Sequence, residues 1–193
     1  MQQLVIASAN KGKIREIKEI IGNQIELLSL NDIGFDQEIP EPYPTFEENA
    51  YTKTQTIHEF CRKNVFADDS GICVLALNGE PGVISAHYSG ERDDEKNLQH
   101  LLEELSGIKE RRAYYKAVIC LCWNGNYHYF EGMCHGNITI QKQGTGGFGY
   151  DPIFIPDGYT QTFAELSPEI KNSISHRGKA IRSMAEFIAN HLY

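Results

Sequence analysis

The run from Arg112 to Ile140 limits the fold more than any other stretch of this chain. Two strand-like segments, AYYKAVICLCW (113–123) and YHYFEGMCHGNITI (127–140), flank Asn124-Gly125-Asn126. Asparagine and glycine tolerate the positive φ that a tight hairpin turn demands. Two long strands joined so closely pair antiparallel and make an extended sheet arm. A sheet that contains them is not purely parallel.

Around this hairpin the chain alternates strands and helices. QLVIAS (3–8) reads as a buried strand, and residues 13–22 as a helix with Ile14, Ile17 and Ile21 on one face, ended by Gly22. IELLSL (25–30) is a second strand. Residues 31–44 form a loop broken by Pro40, Pro42 and Pro44. Thr45 and Glu48 have capping-box spacing and open a helix to about Arg62, with Phe46, Ala50, Ile57 and Cys61 along one side. Two strand segments flank DDSG (68–71), and NGEPG (78–82) is a turn. Leu98, Leu101, Leu102 and Leu105 mark a helix that stops at Ser106-Gly107. PIFIP (152–156) is a short strand. Ser167-Pro168 opens a short helix, and Ser175 caps a last one that buries Ile181, Met184, Ala185 and Ile188. The order βαβ, α, ββ, α, hairpin, short strand, two helices predicts a mixed α/β fold, a central sheet flanked by helices. Residues 1–193 read as one domain.

Bulk properties narrow the partners. A length of 193 residues suits one domain, or one domain with two lobes. The formal net charge of −8 disfavours a nucleic-acid polymer, which needs a basic footprint, yet leaves room for a small anion held by local cations. No apolar stretch approaches the roughly 20 residues of a membrane helix. The start, MQQLVIASANKGK, lacks a basic region ahead of its apolar run, so a strand is expected there, and a cytoplasmic protein. The five cysteines are odd in number and contain no C-x-x-C pair; buried thiols of a reducing compartment are expected.

Four stretches have the composition of a site. Ser8, Ala9, Asn10, Lys11, Gly12 and Lys13 lie at a strand-to-helix junction, where backbone N–H groups and the helix dipole suit phosphate. A plain capped helix start is the alternative. Asp68 and Asp69, followed by Ser70 and Gly71, stand where an apolar strand ends. Such a pair suits Mg²⁺, which takes carboxylate and phosphate oxygens, though a solvated turn has the same composition. In GTGGFGYDP (144–152), glycines admit a flat ligand, and Phe148 and Tyr150 offer aromatic faces; a flexible loop with a hydrophobic anchor is the alternative. Lys171, His176, Arg177 and Lys179 gather cations and donors around two helix starts, or form a solvated basic face. Carboxylates of residues 36–49, Glu38 and Glu41 among them, read mostly as a solvated loop and helix N-terminus, with one available to a metal. Lys53 points either at phosphate or at water.

Together these stretches resemble the inosine triphosphate pyrophosphatase family, also called Ham1-like or RdgB-like. The resemblance rests on five blocks in family order: SANKGK, TFEENAYTK (45–53), ADDSGICVLALNGEPGVISAHYSG (67–90), GGFGYDPIF (146–154) and FAELSPEIKNSISHRGKA (163–180). It implies an elongated fold of two lobes with a substrate cleft between them. It also implies a homodimer, and Mg²⁺-dependent hydrolysis of ITP, dITP and XTP to the monophosphate and pyrophosphate. Ser8, Asn10 and Lys13 match the triphosphate loop. Asp69 matches the catalytic, metal-associated aspartate, with Asp68 assisting the metal and Ser70 contacting substrate. Phe148, Gly149, Tyr150 and Asp151 match the nucleoside block, and Lys171, His176 and Arg177 the base-recognition residues. Glu41 matches the metal-binding glutamate, with Glu38 the neighbouring alternative; here EPYPTF stands where many relatives read E-T-G before T-F. Two rival functions remain: a Maf-like pyrophosphatase for other bases, and a nucleotide-binding module without turnover. The hairpin is apolar enough to serve either a dimer or internal packing.

Overall fold

The hairpin turn is built by two residues alone. In a computed structural model of the chain, which describes residues 3–22 and 25–191, Asn124 and Gly125 take φ of 50° and 81°. Met1 and Gln2, part of the N-terminal stretch read above, lie outside the described residues. In chain order the elements are β1 (Gln3–Ile6), α1 (Lys11–Ile21), β2 (Glu26–Leu28), α2 (Phe46–Cys61), β3 (Val65–Val74), α3 (Asp94–Glu104), β4 (Arg112–Trp123), β5 (Asn126–Ile138), β6 (Phe154–Pro156), α4 (Pro168–Ile174) and α5 (His176–Asn190). The six strands form one sheet in the order β2-β1-β3-β4-β5-β6. β1 runs parallel to β2 and β3, whereas β5 and β6 are antiparallel. The sheet is mixed, as the hairpin requires.

Local chemistry sets the helix starts. Asn10 caps α1 by accepting the Lys13 N–H at 3.0 Å, and Gly22 ends the helix at φ 63°. Thr45 caps α2 by accepting the Glu48 N–H at 3.2 Å. The reciprocal half of a capping box is replaced: the Glu48 carboxylate takes the Thr45 hydroxyl at 2.6 Å. Ser167 caps α4 through the Ile170 N–H. None of the described helices is long and apolar enough to cross a membrane. All five cysteines are thiols outside any disulfide, four of them buried.

The chain divides into two compact units. The first comprises residues up to Asp69, Ala117–Gly132, and those from Arg177 on; the second is Ser70–Lys116 with Met133–His176. Alternate residues of β1 and β3 split the first unit's core. Leu4, Ile6 and Phe66 pack with Ile17, Ile181 and Met184. Val5, Ala7, Val65 and Ala67 pack with Ile57 of α2. The second unit has one core, including Ile72, Leu98, Leu101, Tyr115, Phe154 and Phe163.

Candidate functional site

β3 runs unbroken through the aspartate pair. The expectation of two strands flanking DDSG is therefore corrected: Asp68 and Asp69 lie within one ten-residue strand. Successive side chains of a strand point to opposite faces. Asp68 follows Phe66 onto the face of α1 and α5; Asp69 follows Ala67 onto the face of α2. Both acids find cations, so nothing forces the strand to end.

On the first face, Asp68 Oδ2 pairs with Lys13 Nζ at 2.7 Å and lies 3.4 Å from Arg177 Nη2. Arg177 Nη1 meets Glu16 Oε2 at 2.5 Å. Lys13 and Glu16 stand one turn apart on α1, a spacing that brings side chains together. Burial opposes ionisation of Asp68, but Arg177 and then Lys13 outweigh it and hold the carboxyl well below the usual carboxylate range.

On the second face, Lys53 Nζ donates to Asp69 Oδ1 and to the Asp68 carbonyl, both at 3.0 Å, and to Glu41 Oε1. Burial works against the Lys53 charge, but Asp69 and Glu41 raise its pKa above the ordinary value. The two carboxyls are pushed apart. For Asp69, burial dominates and lifts the pKa to about 6 against Lys53 and Lys13, with Glu41 adding to the rise. For Glu41, burial is outweighed by Lys53, which brings the pKa down to about 2. A group poised near neutrality is suited to moving a proton.

This second face fits a hard cation. Asp69 Oδ2 is buried and has no hydrogen-bond partner among the described residues. The Asp69 and Glu41 carboxyls are electrostatic neighbours. A buried acceptor with no donor is an oxygen disposed to take a metal. No group of three carboxylate, imidazole or thiol side chains converges on one point among the described residues. Mg²⁺ commonly makes do with one or two carboxylates plus water and substrate phosphate. Glu38 is exposed, whereas Glu41 reaches Lys53.

In the second unit, the glycine-rich block closes on itself. Asp151 Oδ2 pairs with Lys171 Nζ at 2.6 Å and accepts the Phe148 N–H at 2.9 Å. Lys171 Nζ sits 5.1 Å from the Phe148 ring centroid, within cation–π range. Tyr150 corrects the expectation of a second aromatic face: its ring is in the core and its hydroxyl donates to the Ser85 carbonyl at 2.7 Å. Phe148 alone is half-buried. His176 stacks on Tyr115, with centroids 4.6 Å apart and planes 8° from parallel. Gly147 is required twice over, since its φ is 72° and a Cβ would lie 2.0 Å from Asp151 Oδ2. Gly147→Ala is expected to cost about 1–3 kcal/mol of stability, read as a lower urea midpoint.

The structure thus joins Lys13, Glu41, Lys53, Asp68, Asp69 and Arg177 in one unit, and Phe148, Asp151 and Lys171 in the other. Lys53, expected to point at phosphate or at water, meets the carboxylates of Glu41 and Asp69 and the Asp68 carbonyl. Asp68, expected to assist the metal, pairs through Oδ2 with Lys13 and Arg177. Arg177, expected among base-recognition residues, is 3% exposed and bonded to acids. Ser8 accepts the Asn10 N–H at 3.2 Å, Ala9 and Lys11 are exposed, and Gly12 and Ser70 are half-buried. Sequence reasoning missed Glu16 and Tyr115. Glu16 was detectable: it adjoins Ile17 on the apolar side of α1, where an acid needs a buried partner.

Comparison with known proteins places these residues in context. The model of the Ham1 family matches residues 4–187. A protein of Flavobacterium psychrophilum named dITP/XTP pyrophosphatase is 49% identical over 189 residues, covering 97% of this chain and all of its own. One of the same name from Porphyromonas gingivalis is 41% identical, covering 97% of this chain and 98% of its own. The solved structure of the Staphylococcus aureus Ham1 protein is similar with a TM-score of 0.89 at 40% identity, over 98% of this chain and all of that one.

Proposed function

The chain belongs to the Ham1 family, and on that premise we propose that it hydrolyses dITP, XTP and ITP to the monophosphate and pyrophosphate. The observation that carries this reading is the Glu41–Lys53–Asp69 arrangement, two carboxylates gathered on one buried ammonium. Relatives named dITP/XTP pyrophosphatase supply the substrate class. The family match favours this reading over a Maf-like enzyme.

In this proposal Asp69 orients a water, or takes its proton, as the water attacks the α-phosphorus. Lys13 and Lys53 offset phosphate charge. Asp68, held ionised, fixes Lys13 and Arg177 in place. Glu41 and Asp69 hold Mg²⁺, which when bound would neutralise phosphate charge and align oxygens for displacement. The SANKGK junction gives N–H groups to phosphate. Phe148 offers its face to the base, and Lys171 and His176 supply donors that suit a C6 carbonyl and reject the adenine amino group. Ser70 contacts substrate. A homodimer in the cytoplasm completes the reading.

A panel of nucleoside triphosphates incubated with Mg²⁺ tests it. Pyrophosphate and monophosphate from dITP, ITP and XTP, with little from ATP, are the expected products. Orthophosphate, or no product, overturns the proposal, and the second outcome leaves a binding module. Chelation is expected to abolish turnover, and added Mg²⁺ to restore it.

A further inference from the structure

The two peptide units that flank Phe148 are each held by a carboxylate. The Phe148 N–H donates to Asp151 Oδ2 at 2.9 Å, and the Gly149 N–H to Asp94 Oδ2 at 3.0 Å. Because peptide units are planar, fixing both sets φ and ψ at the residue between them. Those torsions aim the Phe148 side chain. The turn's own residues do not hold it in one shape, since Gly147 and Gly149, with φ of 72° and 60°, are free to take other torsions.

Asp151 belongs to the loop; Asp94 does not. It comes from the first turn of α3, and the next residue, Glu95, pairs with Lys142 at 2.5 Å. One helical turn therefore reaches both ends of the 142–149 segment. That turn does not need Asp94 for its own cap, because Asp93 accepts the Lys96 N–H at 2.9 Å. The helix is a firm base. Buried Asn97 accepts the Ser89 N–H at 2.8 Å and donates to the Ala86 carbonyl at 2.9 Å.

We propose that Asp94 is a positioning residue: by holding the Gly149 N–H from outside the loop, it fixes the Phe148 ring in the orientation that receives the nucleoside. The proposal rests on the reading of Phe148 given above. Asp94 itself touches no substrate.

Asp94→Ala and Asp94→Asn separate this role from general support. The asparagine amide oxygen still accepts an N–H; alanine offers nothing. Two measurements are made on each full-length variant: dITP kinetics with Mg²⁺, and amide hydrogen exchange over residues 144–151 without nucleotide. For Asp94→Ala, KM is expected to rise by about five- to tenfold with kcat kept within about twofold, the pattern of lost uniform binding. Exchange at Gly149 should quicken. Asp94→Asn should stay near wild type in both. Unchanged KM in Asp94→Ala overturns the proposal, whether or not exchange quickens. So does an Asp94→Asn chain as impaired as Asp94→Ala, since charge and not the held N–H would then be at work. A wild-type chain that cleaves no dITP ends the functional reading separately; dITP affinity then replaces KM, and the variants still support or overturn the tether.

Discussion

Asp69→Asn is expected to fold, to bind dITP within a few-fold of wild type, and to turn it over about a thousandfold more slowly, the scale of a lost general base. The amide keeps the shape of the carboxyl and can still meet Lys53 Nζ through its oxygen. It accepts no proton at neutral pH. Near-wild-type turnover in single-turnover assays would remove Asp69 from the proposed chemistry. The same variant has a stability signature in metal-free buffer. The Asp69 carboxyl has a folded pKa of about 6 against 3.8 for an ordinary aspartate, so between those values the folded state holds more protons than the unfolded. Its contribution is full below 3.8 and is lost as pH rises through 6. Urea titrations across that window should show this slope in wild type and not in Asp69→Asn. Glu41 acts with the opposite sign, contributing above 4.5 and losing its contribution as pH falls toward 2.

Lys53→Met is expected to destabilise the fold more than any other single change at the site. Lys53 is 8% exposed and Asp69 6%. Without the ammonium, Glu41 and Asp69 are left as adjacent acids with a shared deficit of positive charge. Breaking a buried pair from one side costs about 3–5 kcal/mol, which lowers Tm by about 10 °C in a chain of this size. Part of the loss should return on adding Mg²⁺, if Glu41 and Asp69 take the cation. A variant with wild-type Tm in chelator would show that Lys53 is not the counter-ion of this pair. A variant indifferent to Mg²⁺ would move the metal elsewhere.

The elements whose signals are local were legible in the sequence. Asn124-Gly125 specified the hairpin, and Thr45 and Ser167 specified two helix starts, because turns and caps are settled within a few residues. The acid pair was legible as a site, because two adjacent carboxylates in an apolar run need cations. Its geometry was not. Whether β3 ends at the acids depends on what faces them, and Arg177 lies 109 residues from Asp68. Lys53 could be read as pointing at phosphate or at water, because Asp69, the carboxylate that holds it in the buried layer, lies 16 residues away. Tyr150 had the composition of a ligand face, but the Ser85 carbonyl that takes its hydroxyl is 65 residues away. Pairings at such separations leave no local periodicity to read.

The continuity of β3 makes the two aspartates distinguishable by parity alone. They are the same residue type, side by side; only an odd or even place in the strand decides which meets Lys13 and which meets Lys53. Deleting Ala67 alone would turn each acid to the other face, carrying Asp69 to the place beside Lys13 and Arg177 and leaving Ser70 where Asp69 now meets Lys53. Deleting two residues upstream would preserve the faces but displace both acids by about 7 Å along the strand. The stretch from Val65 to Asp69 thus behaves as a ruler with a fixed count, tolerant of side-chain exchange among apolar residues and intolerant of any change in length.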